Sequence, residues 1–263
     1  MSEEAGEGVY VYAVSRDLPG DTVAHVSGIG GASVRAISHQ GLSALVSTVD
    51  LGEFGEAALR RNLEDLGWLE ATARAHNAVA ADAAAHAVTL PMRLLTVYRS
   101  DERVREALRR RGEEFAAALS RITGRTEWGV KVYAQPREFM ASDEGAEDTG
   151  TAHPGTSYLL RRRAERHTEE EARRAAMCRA NEVDLRISDI AAMRHVHPPQ
   201  NPQLSGHEGW MVLNASYLID DERVAELRAA VARLGELRGI SLELSGPWAP
   251  YSFATEEEPW TES

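Results

Sequence analysis

His195, His197 and His207 lie within a short stretch near the C-terminal third and form the densest set of metal-ligand side chains in the chain. Two histidines at i, i+2 with a third farther on could seed a transition-metal site, which takes about three or four ligands. Pro198-Pro199 beside them suggests a helix end, where histidine also favours the helix dipole. Asp82 and His86 stand one helical turn apart and share a face, but no third ligand accompanies them, so a local hydrogen bond explains them better. Cys178, the only cysteine, sits among alanines where nothing lowers a thiol pKa, and reads as a small packing residue. Gly28-Ile-Gly-Gly31 resembles a phosphate cradle. A dinucleotide fingerprint needs a further glycine and a helix directly after the turn, whereas a strand pattern follows here. No Walker A sequence and no Gly-x-Ser-x-Gly elbow occurs. The carboxylate runs Glu169–Glu171 and Asp220–Glu222 read as solvated helical turns. The residues therefore point to no catalytic group, no metal and no cofactor.

The elements around these residues follow from hydrophobic period. Val9–Val14, Val34–Ile37 and Leu42–Val49 read as strands, with His39-Gln40-Gly41 short enough for a hairpin turn. From Phe54 the period lengthens. Leu59, Leu63, Leu66, Leu69 and Ala73 predict one amphipathic helix face, with a break near Gly67 and continuation to about Val88. Ten alanines between Ala71 and Ala87 make that helix thin, suited to close packing on a sheet or another helix. Leu90–Tyr98 reads as a strand and Asp101–Ile122 as a helix, with Ser100 as its N-cap and Gly124 as its stop.

A second unit opens with the strand Glu127–Ala134. Residues 141–155 are polar and read as a flexible loop, and a long helix is expected from Thr156 to about Arg194. Its first half is charged: Arg161, Arg162, Arg163, Arg166, Arg173 and Arg174 are interleaved with glutamates at ion-pair spacing. Its second half puts Ala172, Ala176, Val183, Ile187 and Ile190 on one face. A strand over Gly209–Ile219, a helix over Asp220–Leu237 and a strand over Ile240–Leu244 follow. This order predicts an α+β protein whose second domain is an antiparallel sheet with helices on one face, a ferredoxin-like plan. The expected boundaries are 1–124, 125–245 and a tail over 246–263. In that tail Trp248, Tyr251 and Phe253, stiffened by Pro247 and Pro250, form an aromatic segment. Either this segment folds back onto the protein's own surface or it binds a partner, and folding back is the more economical because large apolar rings gain from burial.

Composition bounds the function. Forty-one acidic against 29 basic residues give a net charge of −12, which disfavours nucleic-acid phosphates and anionic membrane surfaces as partners. The acidic start lacks the pattern of a signal peptide, and no apolar run approaches the ~18 residues that span a bilayer. A cytoplasmic location is expected.

Several stretches together resemble the F/L family of gas vesicle proteins. They are Val9–Val14, Gly41–Val49, Ala75-His-Asn-Ala-Val79 leading to Leu90-Pro-Met-Arg-Leu94, Trp128–Val132, Gly155–Leu159 and Gly246-Pro-Trp-Ala-Pro-Tyr-Ser-Phe253. The resemblance implies a two-domain α+β protein with a modified ferredoxin-like second domain. It also implies a tail whose Trp248, Pro250, Tyr251 and Phe253 dock on the N-terminal domain. It further implies a minor structural or assembly component of the gas vesicle, chaperone-like, with no catalytic residues. Such a component binds the hydrophobic major shell protein and other accessory proteins, and limits shell-protein aggregation while the vesicle nucleates. The alternative reading is a small-molecule-sensing regulatory protein that uses the ferredoxin-like domain to hold a ligand.

Overall fold

The computed structural model describes residues 6–18, 22–23, 25–140, 154–200 and 209–254, with backbone alone for 154–166. The chain divides into two compact units, Met1–Thr126 with Trp248–Ser263, and Glu127–Pro247.

The first unit is built on β1 (Glu7–Arg16), whose Val and Tyr residues are all buried. Strands β2 (Arg35–His39) and β3 (Leu42–Asp50) form a hairpin on one side of it. Gln40 and Gly41 close that hairpin at φ 47° and 79°, the left-handed pair that matches strand twist in a two-residue turn. β1 pairs antiparallel with β3, and the register slips between Val11 and Ala13, so Tyr12 is the extra residue of a bulge. The expected strand over Leu90–Tyr98 is two short pieces, β4 (Thr89–Pro91) and β5 (Val97–Tyr98), both paired with β1. A turn with Leu95 at φ 67° separates them.

The helix expected from Phe54 is three helices: α1 (Leu51–Phe54), α2 (Glu56–Asn62) and α3 (Leu66–His86). The last break has a capping cause. Asp65 accepts from the amides of Gly67 and Trp68, and starts α3 afresh. The leucine face is likewise corrected, since Leu63 and Leu66 are 47% and 77% exposed. Restarting the helix rotates the buried face onto Thr72, His76, Val79, Ala80 and Ala83. Those small residues let α3 lie close against β1 and β4. The segment Asp101–Ile122 also breaks, at Arg111, into α4 (Asp101–Arg110) and α5 (Gly112–Ile122). Ser100 caps α4 by accepting from the Arg103 amide.

The second unit runs β6 (Arg125–Ala134), α6 (Pro136–Met140), α7 (Pro154–Ser188), β7 (Met193–Val196), β8 (Trp210–Asp220), α8 (Val224–Leu234) and β9 (Ile240–Trp248). Its sheet order is β7-β8-β6-β9, the βαββαβ ferredoxin-like arrangement of two split βαβ halves. α7 ends at Ser188, not near Arg194, and Met193–Val196 is a strand antiparallel to β8. Arg223 helps to stop the helix by donating to the carbonyls of Asp189 and Ile190. One layer of core joins Ala176, Ala180, Val183 and Ile187 of α7 to Val130 and Val132 of β6 and Tyr217 of β8. β9 extends through Gly246 and Pro247 to Trp248, so the start of the expected irregular tail is strand. Gly246 sits at φ 125°, where a Cβ would press on the Trp128 ring.

Candidate functional site

A buried polar network occupies the core of the first unit. His76 projects from α3, and its Nε2 lies 3.1 Å from the Met92 carbonyl while its Nδ1 lies 3.0 Å from the Tyr10 hydroxyl. A carbonyl can only accept, so Nε2 carries the proton and Nδ1 accepts from Tyr10. The Tyr10 oxygen in turn accepts from the Leu95 amide at 2.9 Å. The His76 nitrogens and the Tyr10 hydroxyl are thereby all matched, which a buried network requires. Burial pulls the His76 pKa down to about 4 and pushes that of Tyr10 well up, so both are neutral near pH 7.

Aromatic rings enclose this pair. Tyr10 stands edge-on to Phe54 and lies against Tyr12, and Phe54 leans on Trp68. The Tyr12 hydroxyl is bonded to Ser47 Oγ at 2.6 Å and accepts from the Ile29 amide at 2.8 Å. Gly28 is required there, because a Cβ would come within 2.3 Å of that hydroxyl. The glycine cluster thus forms a turn folded over Tyr12. The amides of Gly28, Ile29, Gly31 and Ala32 are all committed to partners within the protein, which leaves no phosphate cradle.

The C-terminal segment reaches the same network. The Tyr251 ring lies 6.0 Å from His76, and its hydroxyl donates to Asn77 Oδ1 at 3.3 Å. Pro250 and Phe253 are buried, whereas Trp248 is 50% exposed. Ala254 lines a hollow of about 200 Å³ with Phe115 and Ala118 of α5.

Among the described residues, those singled out for chemistry do not assemble. His195 and His197 stand on and just after the strand β7, not at a helix end, with rings 4.7 Å apart. The His197 Nε2 is 2.9 Å from Ser216 Oγ, and burial, then the neighbouring His195, lowers its pKa. His207 lies outside the described residues. Among the described residues no group of three or more metal-ligand side chains converges. His86 bonds back to the Asp82 carbonyl, and Asp82 Oδ1 is 3.3 Å from His25 Nε2. Cys178 is exposed on α7 and not a packing residue, because the buried face runs through Ala172, Ala176 and Ala180. Arg173 pairs with Glu169 and also covers the Trp210 ring at 4.6 Å. The side chains of Arg161, Arg162, Arg163 and Arg166, the loop over 141–153 and the acidic end over 255–263 lie outside the described residues.

Sequence reasoning missed one constellation in the second unit. Asp184 on α7 is buried, and it accepts from the Tyr217 hydroxyl and from Arg194 Nε, both at 2.6 Å. An acid within an otherwise ordinary charged helix gives no signal until β7 is recognised as a strand that returns beside it. Among the described residues no helix is long and apolar enough to cross a membrane.

The comparisons agree with this architecture. The family model for "Gas vesicle synthesis protein GvpL/GvpF" matches residues 8–255. Gas vesicle protein L of Streptomyces sp. (strain CB03234) is 43% identical over 247 residues, covering 93% of this chain and 92% of that protein. Gas vesicle protein F of the same strain is 25% identical, over 93% of this chain and 98% of its own length. Among solved structures, GvpF from Anabaena sp. PCC7120 superposes with a TM-score of 0.67 at 20% identity, covering 98% of this chain and all of that one. GvpF from Microcystis aeruginosa gives 0.65 at 17% identity, over 95% and 99% of the two chains. These two show the fold. With the family model spanning nearly all of the chain, this protein belongs to the GvpL/GvpF family and is a gas vesicle component.

Proposed function

We propose that this component acts in gas vesicle assembly by binding the hydrophobic major shell protein, together with other accessory proteins, and limiting its aggregation during nucleation. The observation that carries the reading is family membership across residues 8–255. A subunit that self-associates through apolar surface grows without control unless a soluble partner covers that surface for a time. A partner of net charge −12 adds like-charge repulsion between the complexes it forms. Identity of 43% to an L protein against 25% to the F protein of the same strain favours an L-type role.

Co-expression with the shell protein tests the proposal. The tagged protein should retain the shell protein on affinity resin and keep it in the soluble fraction. Loss of every association with shell and accessory proteins would overturn it.

A further inference from the structure

The exposed apolar residues are not scattered evenly. Of the seven large hydrophobic side chains exposed among the described residues, Met177, Leu185, Met193 and Val196 belong to α7 and β7. The Asp184–Arg194 contact fixes one flank of α7 beside β7. Met177 precedes Asp184 by two helical turns and shares that flank. Side chains alternate along a strand, so Val196 lies on the same side of the sheet as Arg194. The turn after Ser188 sends β7 back beside α7, and places Met177 and Val196 on the same side of the ion pair.

Among the described residues β7 is also an open edge. It ends the order β7-β8-β6-β9, and all four of its residues are exposed. The His197 amide donates to Asn214, next to the Val196–Ala215 pair in the register. In an antiparallel ladder bonded and unbonded positions alternate, so the amides and carbonyls of Arg194 and Val196 point away from β8. Pro198-Pro199 then stops the edge from lengthening, since proline cannot donate. From Ile190 to His207 the chain has no carboxylate.

We propose that β7, flanked by Met177, is where the shell protein docks, by adding an uncharged, extended apolar segment to the sheet edge. This rests on the proposed role in shell-protein binding. Charge decides the occupant. β7 itself carries no carboxylate, and its Arg194 is matched by Asp184, so an uncharged segment loses no counter-charge on docking. A second copy would bring its own net charge of −12 and is repelled. Main-chain bonds to two residues give a short, reversible attachment, with the exposed Val196 and Met177 side chains supplying selectivity. A temporary cover requires such an attachment.

The test compares retention of purified, detergent-held shell protein by the full-length protein and three variants. Val196→Pro removes an outward amide, Met177→Glu charges the flank without touching the backbone, and Leu66→Glu charges an exposed leucine of the first unit. With unchanged melting curves, V196P and M177E should each weaken retention roughly tenfold or more, equivalent to about 1.4 kcal/mol, and L66E should bind as wild type. If V196P unfolds, M177E alone gives the answer. Wild-type retention with equal retention by M177E overturns the edge assignment and leaves the assembly role standing. Equal weakening by L66E overturns it too, by showing unselective apolar contact. No retention by wild type removes the assembly role and the edge with it. Self-association of wild type that V196P abolishes would assign the edge to a second copy instead.

Discussion

The Tyr10 hydroxyl donates to His76 Nδ1 across 3.0 Å, although the two residues are 66 positions apart. Around this bond four of the stretches that carry the family resemblance meet. They are the first strand through Tyr10, the alanine-rich helix through His76 and Asn77, the Leu90–Leu94 segment through the Met92 carbonyl, and the C-terminal segment through Tyr251. The first unit is therefore organised by a polar centre inside an aromatic shell.

Deleting the histidine side chain should be among the costlier changes in this unit. His76→Ala leaves the Met92 carbonyl and the Tyr10 hydroxyl buried without partners, at about 1–3 kcal/mol each, and opens a cavity. A loss of roughly 3–5 kcal/mol is expected in urea unfolding. Tyr10→Phe should lose less, roughly 1–3 kcal/mol, because it keeps the ring.

Acid should weaken the fold through the same residue. The folded His76 titrates at about 4, below the 6.5 of an unfolded histidine. Between those values the unfolded chain binds the extra proton, so stability is full above pH 6.5 and declines as pH falls toward 4. The slope from this group is about 1.4 kcal/mol per pH unit. Urea midpoints of wild type and His76→Gln, compared at pH 7 and pH 5, isolate it. An equal drop in both proteins would count against the assignment.

The C-terminal segment should contribute to the stability of the first unit unevenly. Phe253 is buried, so Phe253→Ala should lower stability by roughly 3–5 kcal/mol. Trp248, half exposed at the end of β9, should cost less than about 1 kcal/mol on replacement by alanine. Truncation after Pro247 should lower the melting temperature or cause aggregation. An unchanged melting curve would mean that the segment adds nothing to the fold.

In the second unit, Asp184→Ala strands Arg194 and the Tyr217 hydroxyl. Breaking a buried pair costs about 3–5 kcal/mol, and Arg194 is 42% exposed, which places the expected loss at the lower end. The loss should appear in thermal melts. Faster hydrogen exchange at β7, which the ion pair holds against α7, should accompany it.

Much of this architecture was legible in local sequence. Alternation marked β1, β6 and β8, alanine content marked α3 as a closely packed helix, and the spacing of Ala172, Ala176, Val183 and Ile187 marked the buried face of α7. Ser100 and Gly124 signalled helix ends because capping is a local effect. The negative reading of the glycine cluster also followed from its neighbours. The matched family stretches carried the identification, since their order along the chain is itself one-dimensional information.

What only the tertiary structure decided was which partner each ambiguous residue meets. Met193–Val196 had too few residues to show a period, and pairing with β8 made it a strand. Leu63 and Leu66 were spaced for burial, yet the Asp65 cap turned them outward. His76 and Asp184 looked like ordinary polar residues on helices, and became internal links only when Tyr10 and Arg194 arrived from distant strands. Hydrophobic period reports the side of an element that is buried; the groups waiting on that side are set by chain topology.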